Sequence, residues 1–260
     1  MNGKNTTKAD SYTGERQAIS LFKDQRQDHR NHKSSDTVYD YVVNNICSRR
    51  FLAGDRLVER NLADRLNMSH IPVREALERL AHSGWTEQIP HKGTYVKRFD
   101  HKEIKEIYLL RQTIELGVIA NVAQNATEEQ RAQLKQLVDT LEAANEANDA
   151  ERYRDADFQF HYLIVKFAGS QRLEKFYETL MLQIRYCCFV FWRLALEKHL
   201  FSVTSLQSSI THAMIYEAIA SRDPDWARQV LEQHLKRSCS VNVAVLTWLQ
   251  SQEESENKKP

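Results

Sequence analysis

Turn-forming residues are scarce in this chain, and that scarcity limits what it can fold into. The 260 residues contain only 7 Gly and 4 Pro. Because Gly and Pro mark most turns and loops, their shortage favours long helices with few interruptions. The chain is also long enough to form two domains, each with its own hydrophobic core. The sequence therefore predicts a mainly α fold.

Composition excludes several classes of protein. No apolar stretch reaches the roughly 20 residues that a membrane span needs, and the N-terminus lacks the basic-then-apolar pattern of a signal peptide. The expected location is therefore the cytoplasm, with no membrane partner. The four cysteines show neither zinc-finger spacing nor a disulfide framework, and we expect free thiols: Cys47, Cys187, Cys188 and Cys239.

Four segments follow from the pattern of apolar residues and breakers. Residues 1–33 and 251–260 are polar and are expected to be disordered tails. Residues 34–99 predict three helices and a β-hairpin, with Asp36 and Ser69 as caps of the first and third helices. Residues 100–250 predict an all-α bundle of six helices. These helices are expected near residues 102–122, 127–146, 149–168, 171–199, 204–221 and 224–249.

The charge distribution differs between the two halves. Residues 1–99 carry 17 Lys and Arg against 12 Asp and Glu, and the remainder carries 19 against 23. A basic first part and an acidic second part suit contact with nucleic acid through the first part only. The difference is too small to establish that contact alone.

Polar residues on the third predicted helix share the face opposite its apolar stripe. Three helices followed by a hairpin form a winged helix-turn-helix, whose third helix enters the major groove of DNA. His70 and Arg74 are four residues apart and therefore lie side by side on the polar face. Contacts with DNA are also expected from Arg60, from the cap Ser69 and from the hairpin tip, His91, Lys92 and Gly93.

Any one of these residues could be an ordinary solvated side chain, but their order is specific. The stretch GDRLVERNLADRLNMSHIPVREALERLAHSGWTEQIPHKGTYV closely resembles the DNA-binding domain of the GntR family of bacterial regulators. The resemblance covers residues 36–99 and implies that the positions named above contact DNA. One departure is that His70-Ile71 stands where the family usually has Arg-Thr, and that Arg commonly contacts bases.

Four residues of the predicted bundle have the chemistry of a metal site. Asp157 and His161 are one turn apart on one helix, a spacing that points two ligands at one ion. His212 and His234 lie on two later helices, and His234 stands inside an apolar stripe. A carboxylate and three imidazoles suit Zn²⁺, Ni²⁺ or Mn²⁺, with coordination positions left over.

A buried histidine is more often a hydrogen-bonded core residue than a ligand. The order of these four residues, however, resembles the metal-binding version of the FadR-type effector (FCD) domain, as does Leu110-Arg111-x-x-x-Glu115. That resemblance implies a divalent metal that helps to hold a small carboxylate effector. An arginine beside the metal would add a bidentate contact, and the candidates are Arg111, Arg185 and Arg193.

Three functions remain open from the sequence. The first is a ligand-responsive transcription regulator, most simply a repressor, that binds a two-fold symmetric DNA operator as a homodimer. The second is a metal-dependent enzyme using the Asp/His₃ site, although none of the usual catalytic motifs is present. The third is a regulator whose metal is purely structural. The resemblance favours the first, with no catalytic residues.

Overall fold

The computed structural model describes residues 31–47, 50–197 and 201–257, and within these ranges it contains nine helices and one three-stranded sheet. No helix in this part of the chain combines the length and the apolar character needed to cross a membrane. The elements in chain order are α1 Asn31–Cys47, β1 Arg56–Leu57, α2 Glu59–Leu66, α3 His70–His82, β2 Thr86–Ile89, β3 Gly93–Val96, α4 His101–Asn125, α5 Glu128–Glu146, α6 Ala150–Phe167, α7 Gln171–Glu197, α8 Phe201–Ala220 and α9 Pro224–Asn257.

The first three helices and the sheet share a small hydrophobic core. The inward faces of α1 and α3 are fully buried at Val38, Val42, Val73 and Leu80. Asn67 ends α2 in the left-handed conformation (φ 51°), which asparagine tolerates. The first part of the chain therefore has the three helices and the wing of the fold that the sequence predicted.

The wing has one strand more than the hairpin that the sequence predicted. All pairs are antiparallel, in the order β1-β3-β2, and Arg56 of β1 lies opposite Tyr95. Two further hydrogen bonds join the segment just before β1 to the end of β3. Gly54 N–H donates to Val96 O, and Val96 N–H donates to Asp55 O, both at 2.8 Å. A strand of two residues is too short to show an alternating pattern, so the sequence gives no signal for it.

The wing tip is a tight turn. Lys92 N–H donates to Ile89 O at 3.0 Å, with Pro90 second in the turn and His91 third at φ 62°. Proline and a positive φ at these two positions are typical of a type II turn. Gly93 follows at φ 111°, a backbone conformation that favours glycine.

Two predicted caps differ from the structure. Asp36 is not the first cap, because α1 begins at Asn31 and Asp36 lies inside it, paired with Arg79 of α3 at 2.6 Å. The sequence alone does not distinguish an aspartate that caps a helix from one, such as Asp36, that pairs with an arginine of another helix. Ser69 occupies the N-cap position of α3, but its side chain makes no capping hydrogen bond. Residues 31–33 are helical where the sequence predicted a disordered tail. The rest of that tail, residues 1–30, lies outside the described residues.

Capping fixes where the helices of the bundle begin. A capping box of Thr127 and Gln130 starts α5, and Asp223 caps α9 by accepting from Trp226 N–H at 2.9 Å. A second capping box, Asp100 with Glu103, starts α4. The helix α9 continues to Asn257, so residues 251–257 are helical where the sequence predicted a disordered tail.

The bundle, α4 to α9, surrounds a larger hydrophobic core that includes Ile119, Leu134, Phe160 and Leu231. Cys187 and Cys188 are buried free thiols, as expected, and Cys239 is a free thiol that is partly buried. The side chain of Cys47 lies outside the described residues. One bundle residue, Tyr186 of α7, packs instead into the core of the winged helix, and this contact joins the two parts.

Candidate nucleic-acid interface and candidate metal centre

The residues predicted to contact DNA all lie on the surface. Those on α2 and α3 are Arg60, Ser69, His70 and Arg74, and those at the wing tip are His91, Lys92 and Gly93; all are exposed. The opposite face of α3 is buried. The structure therefore leaves a polar helix face and a wing tip open to a ligand, as DNA reading requires.

Two arginines of this surface lie beside acidic neighbours. Arg74 Nη2 lies 3.3 Å from Glu59 Oε2, and Arg60 Nε lies 3.9 Å from Asp64 Oδ2. The exposed fractions of the two arginine side chains are 64% and 82%. Exposed ion pairs of this kind contribute about 0–1 kcal/mol, so both guanidinium groups can leave their partners at little cost to bind a phosphate or base.

The four predicted metal ligands come together in the centre of the bundle. Asp157 and His161 lie on α6, His212 on α8 and His234 on α9, and one ligand atom from each lies within 4.8 Å of the others. His161 Nε2 is 3.1 Å from His212 Nε2 and 3.2 Å from His234 Nε2. Asp157 Oδ1 is 3.2 Å from His212 Nε2. All four residues are buried.

Hydrogen bonds on the outer side of each ring fix the tautomers. His161 Nδ1–H donates to Glu115 Oε2 at 2.7 Å, and His212 Nδ1–H donates to Ser208 O at 2.8 Å. Thr211 donates its hydroxyl proton to Ser208 O and therefore accepts from His234 Nδ1–H, at 2.8 Å. In this tautomer every Nε2 carries a lone pair, and all three lone pairs point at the same space.

This arrangement suits a positive charge between the ligands. Lone pairs on nitrogens 3.1–3.2 Å apart repel, and a proton on one Nε2 can relieve only one contact at a time. Ligands bound to one ion at about 2.1 Å and at tetrahedral or octahedral angles lie roughly 3.0–3.4 Å apart. Backbone and side-chain acceptors behind each ring are the usual companions of metal-bound histidine. The residues present therefore fit a divalent metal.

The charges of the cluster are set by burial and by its neighbours. Burial holds the pKa values of His161 and His234 well below the ordinary value, and the nearby Arg111 charge acts in the same direction. Burial alone would raise the pKa of Asp157, but nearby positive charge, including that of Arg111, lowers it. Neutral imidazoles and an ionised carboxylate are the forms that bind metal.

Behind the histidines lies a buried ion pair between Arg111, a candidate effector ligand, and Glu115, to which the sequence assigned no role. Glu115 Oε1 accepts from Arg111 Nε at 2.7 Å and from the Tyr177 hydroxyl at 2.6 Å. Burial raises the pKa of Glu115, and the permanent charge of Arg111 opposes this. Arg111 Nη2 is buried and has no hydrogen-bond partner among the described residues. The signal for this pair was the spacing Arg111-x-x-x-Glu115, which places both residues on one helix face.

The three candidate effector arginines have different surroundings. Arg111 is 2% exposed and lies close enough to influence the charges of the metal cluster. Arg185 Nη2 lies 3.6 Å from Asp155 Oδ1, and its guanidinium packs over Phe158. The side chain of Arg193 lies outside the described residues. Arg111 therefore has both a position near the metal cluster and, among the described residues, a guanidinium nitrogen without an acceptor.

The contact between the two parts of the molecule, called the α7 seam below, is formed by Tyr186 against Trp85, Lys97 and Phe99. The ring of Tyr186 lies 4.7 Å from that of Trp85 and 5.0 Å from that of Phe99. Its hydroxyl donates to Lys97 O at 2.8 Å. Sequence periodicity assigns Tyr186 to the bundle and gives no sign that it serves a second core.

Comparison with known proteins identifies both parts. The model of the FCD domain matches residues 106–237, and that of bacterial regulatory proteins of the gntR family matches residues 34–96. The HTH-type transcriptional repressor RspR of Escherichia coli K12 is 28% identical over 202 residues, which cover 76% of this chain and 84% of the relative.

Two solved structures share the fold. E. coli McbR/YncC is 22% identical with a TM-score of 0.65, covering 84% of this chain and 98% of that one. A transcriptional regulator GntR from Rhodococcus sp. RHA1 is 19% identical with a TM-score of 0.66, covering 82% and 98%. The chain therefore belongs to the GntR family of bacterial regulatory proteins, with an FCD domain after its DNA-binding domain, and is a transcription regulator rather than an enzyme.

Proposed function

We propose that this regulator is a repressor whose FCD domain binds a divalent metal ion and, through it, a small carboxylate effector. The observation that carries the proposal is the convergence of three histidine Nε2 atoms and one carboxylate whose tautomers and charges suit metal binding. The relative RspR is named a repressor, which supports that direction of control. The ions that fit this donor set are Zn²⁺, Ni²⁺ and Mn²⁺.

Two features favour a carboxylate as the additional ligand of the metal. When bound, the ion would offer open coordination positions to an anionic oxygen, because the protein supplies only four ligands. Within the described part of the chain, Arg111 Nη2 is a buried cationic donor without an acceptor, a state that costs about 1–3 kcal/mol. A carboxylate oxygen would satisfy this donor. The purely structural metal, which remains the second candidate, leaves the unused donor without an explanation.

On the DNA side, we propose that α3 and the wing tip read a two-fold symmetric operator. Arg60, Ser69, His70 and Arg74 would contact bases or phosphates in and beside the major groove, and residues 91–93 would contact the minor groove. One winged helix buries too little surface for tight specific binding. Two copies of the chain, arranged as a homodimer, would match the symmetry of the operator.

We propose further that α7 connects the two sites. Tyr177 donates to Glu115, which accepts from the candidate ligand His161. Tyr186, on the same helix, forms the α7 seam. The two tyrosines are about two and a half turns apart, roughly 13 Å along one helix, and project from opposite sides of it. A change at the Glu115 end that moves α7 would therefore move the seam.

Metal content tests the cluster. Protein purified without chelator and without a His-tag should carry near-stoichiometric metal by elemental analysis, and His212→Ala and His234→Ala should carry almost none. Chelation should lower the melting temperature of the wild type, because a ligand present at 100 times its Kd stabilises the folded state by about 2.7 kcal/mol. It should leave both variants unchanged. His82→Ala, which removes an exposed histidine of α3, is the control and should behave as wild type. A wild type that takes up none of the three ions contradicts the site.

A panel of small carboxylates tests the effector. In metal-loaded protein, at least one carboxylic acid should raise the melting temperature without being consumed, and its amide should not, because only the acid supplies an anionic oxygen. Metal-stripped protein should show no shift with the same acid. If no acid has an effect on the loaded protein, the structural metal is the better interpretation.

Arg74→Ala tests DNA reading. The variant should lose operator affinity by about 1–3 kcal/mol if the side chain reads a base, measured by a gel-shift titration on an operator selected by the wild type. Fold and metal content should not change, because the ion pair with Glu59 is exposed. Arg172→Ala, at an exposed position of α7, is the matched control. Equal affinities of both variants would remove Arg74 from the interface.

Tyr177→Phe tests the connection through α7. The variant loses the hydroxyl that donates to Glu115 and nothing else, so it should still bind metal and operator. The change in operator affinity that metal or effector causes in the wild type, whatever its sign, should shrink towards none. Tyr162→Phe is the control, since its hydroxyl donates to Glu174 and Glu178 instead. A Tyr177→Phe protein that responds as the wild type does would exclude this route.

A further inference from the structure

Ile71 is a large apolar side chain left in solvent on the surface proposed to read DNA. It exposes 64% of its surface, although isoleucine is among the residues most often buried. It stands in the first turn of α3, beside His70 and one helical turn before Arg74 and Glu75, all of them exposed. The N-terminal turn of the third helix is the part of a helix-turn-helix that reaches base edges.

The core of the domain does not account for this side chain. The inward stripe of α3 consists of Val73, Leu77 and Leu80, whose exposed fractions are 0%, 1% and 0%. Ile71 lies on the other side of the helix and contributes nothing to that packing. A polar residue at this position would cost the fold nothing.

We infer that Ile71 is a specificity-determining residue that packs against the C5-methyl group of a thymine in the operator. The inference rests on the proposed reading of DNA by α3. Among the four bases, only thymine presents an apolar group in the major groove. His70 and Arg74 can supply the hydrogen bonds to base edges, and neither can recognise a methyl group. Ile71 would add a preference for thymine over cytosine at one position of each half-site.

Replacing thymine by uracil tests this, because the exchange removes the methyl group and leaves base pairing intact. Wild-type protein first selects its operator from a random duplex library, and each thymine is then replaced singly. When one particular thymine of a half-site is replaced, the wild type should lose about 3- to 5-fold in affinity, the value expected for the burial of one methyl group. Ile71→Ala should bind thymine and uracil at that position with equal affinity.

Leu109→Ala is the matched control. Leu109 is 63% exposed but lies on α4 in the bundle, so its removal should leave the thymine-to-uracil ratio as in the wild type. Using the ratio as the readout separates methyl recognition from any general loss of affinity.

The remaining outcomes separate the two proposals. If Ile71→Ala loses the same factor as the wild type, or if the wild type is indifferent to uracil at every position, the inference is wrong while DNA reading by α3 stands. If the library yields no enriched sequence, the proposed DNA reading itself fails, and the role of Ile71 falls with it.

Discussion

A single buried carboxylate, Glu115, holds together the part of the bundle on which the candidate site depends. It accepts hydrogen bonds from Arg111 on its own helix, from Tyr177 on α7 and from His161 on α6. Removing one member of a buried ion pair typically costs 3–5 kcal/mol, because the other charge is left without compensation. The orientation of His161 therefore follows from an ion pair outside the ligand set.

The ligands on α8 and α9 are held in a different way. One backbone carbonyl, that of Ser208, accepts both from His212 and from the hydroxyl of Thr211, which in turn orients His234. Two rings from two helices thus depend on one turn of α8. Because the ligands come from three helices, an ion bound among them would join α6, α8 and α9, and the free energy of binding would add directly to the stability of the bundle.

Sequence periodicity predicted the helices, and the spacing and order of four residues predicted the candidate ligands, but neither predicted the contacts that orient them. The spacing of Asp157 and His161 on one helix face is visible in the sequence because it is local. The pairing of Glu115 with Tyr177, the double use of the Ser208 carbonyl and the α7 seam join residues that are distant in the chain, so no local pattern reports them. The strand β1 and the ion pair of Asp36 were missed for the same reason: both are defined by a partner elsewhere in the chain.

The α7 seam lies where the proposed connection between the two sites needs it. Its named contacts are two aromatic pairs, each worth about 0.5–1.5 kcal/mol beyond the apolar area that the rings bury, and one hydrogen bond worth a similar amount. Among the described residues, Trp85 Nε1 is buried there without a hydrogen-bond partner, so opening the seam would return a donor to water and offset part of the loss. Under the proposed connection, binding at the metal cluster would not have to unfold or rebuild either domain to affect DNA binding; it would have only to change where α7 presents Tyr186.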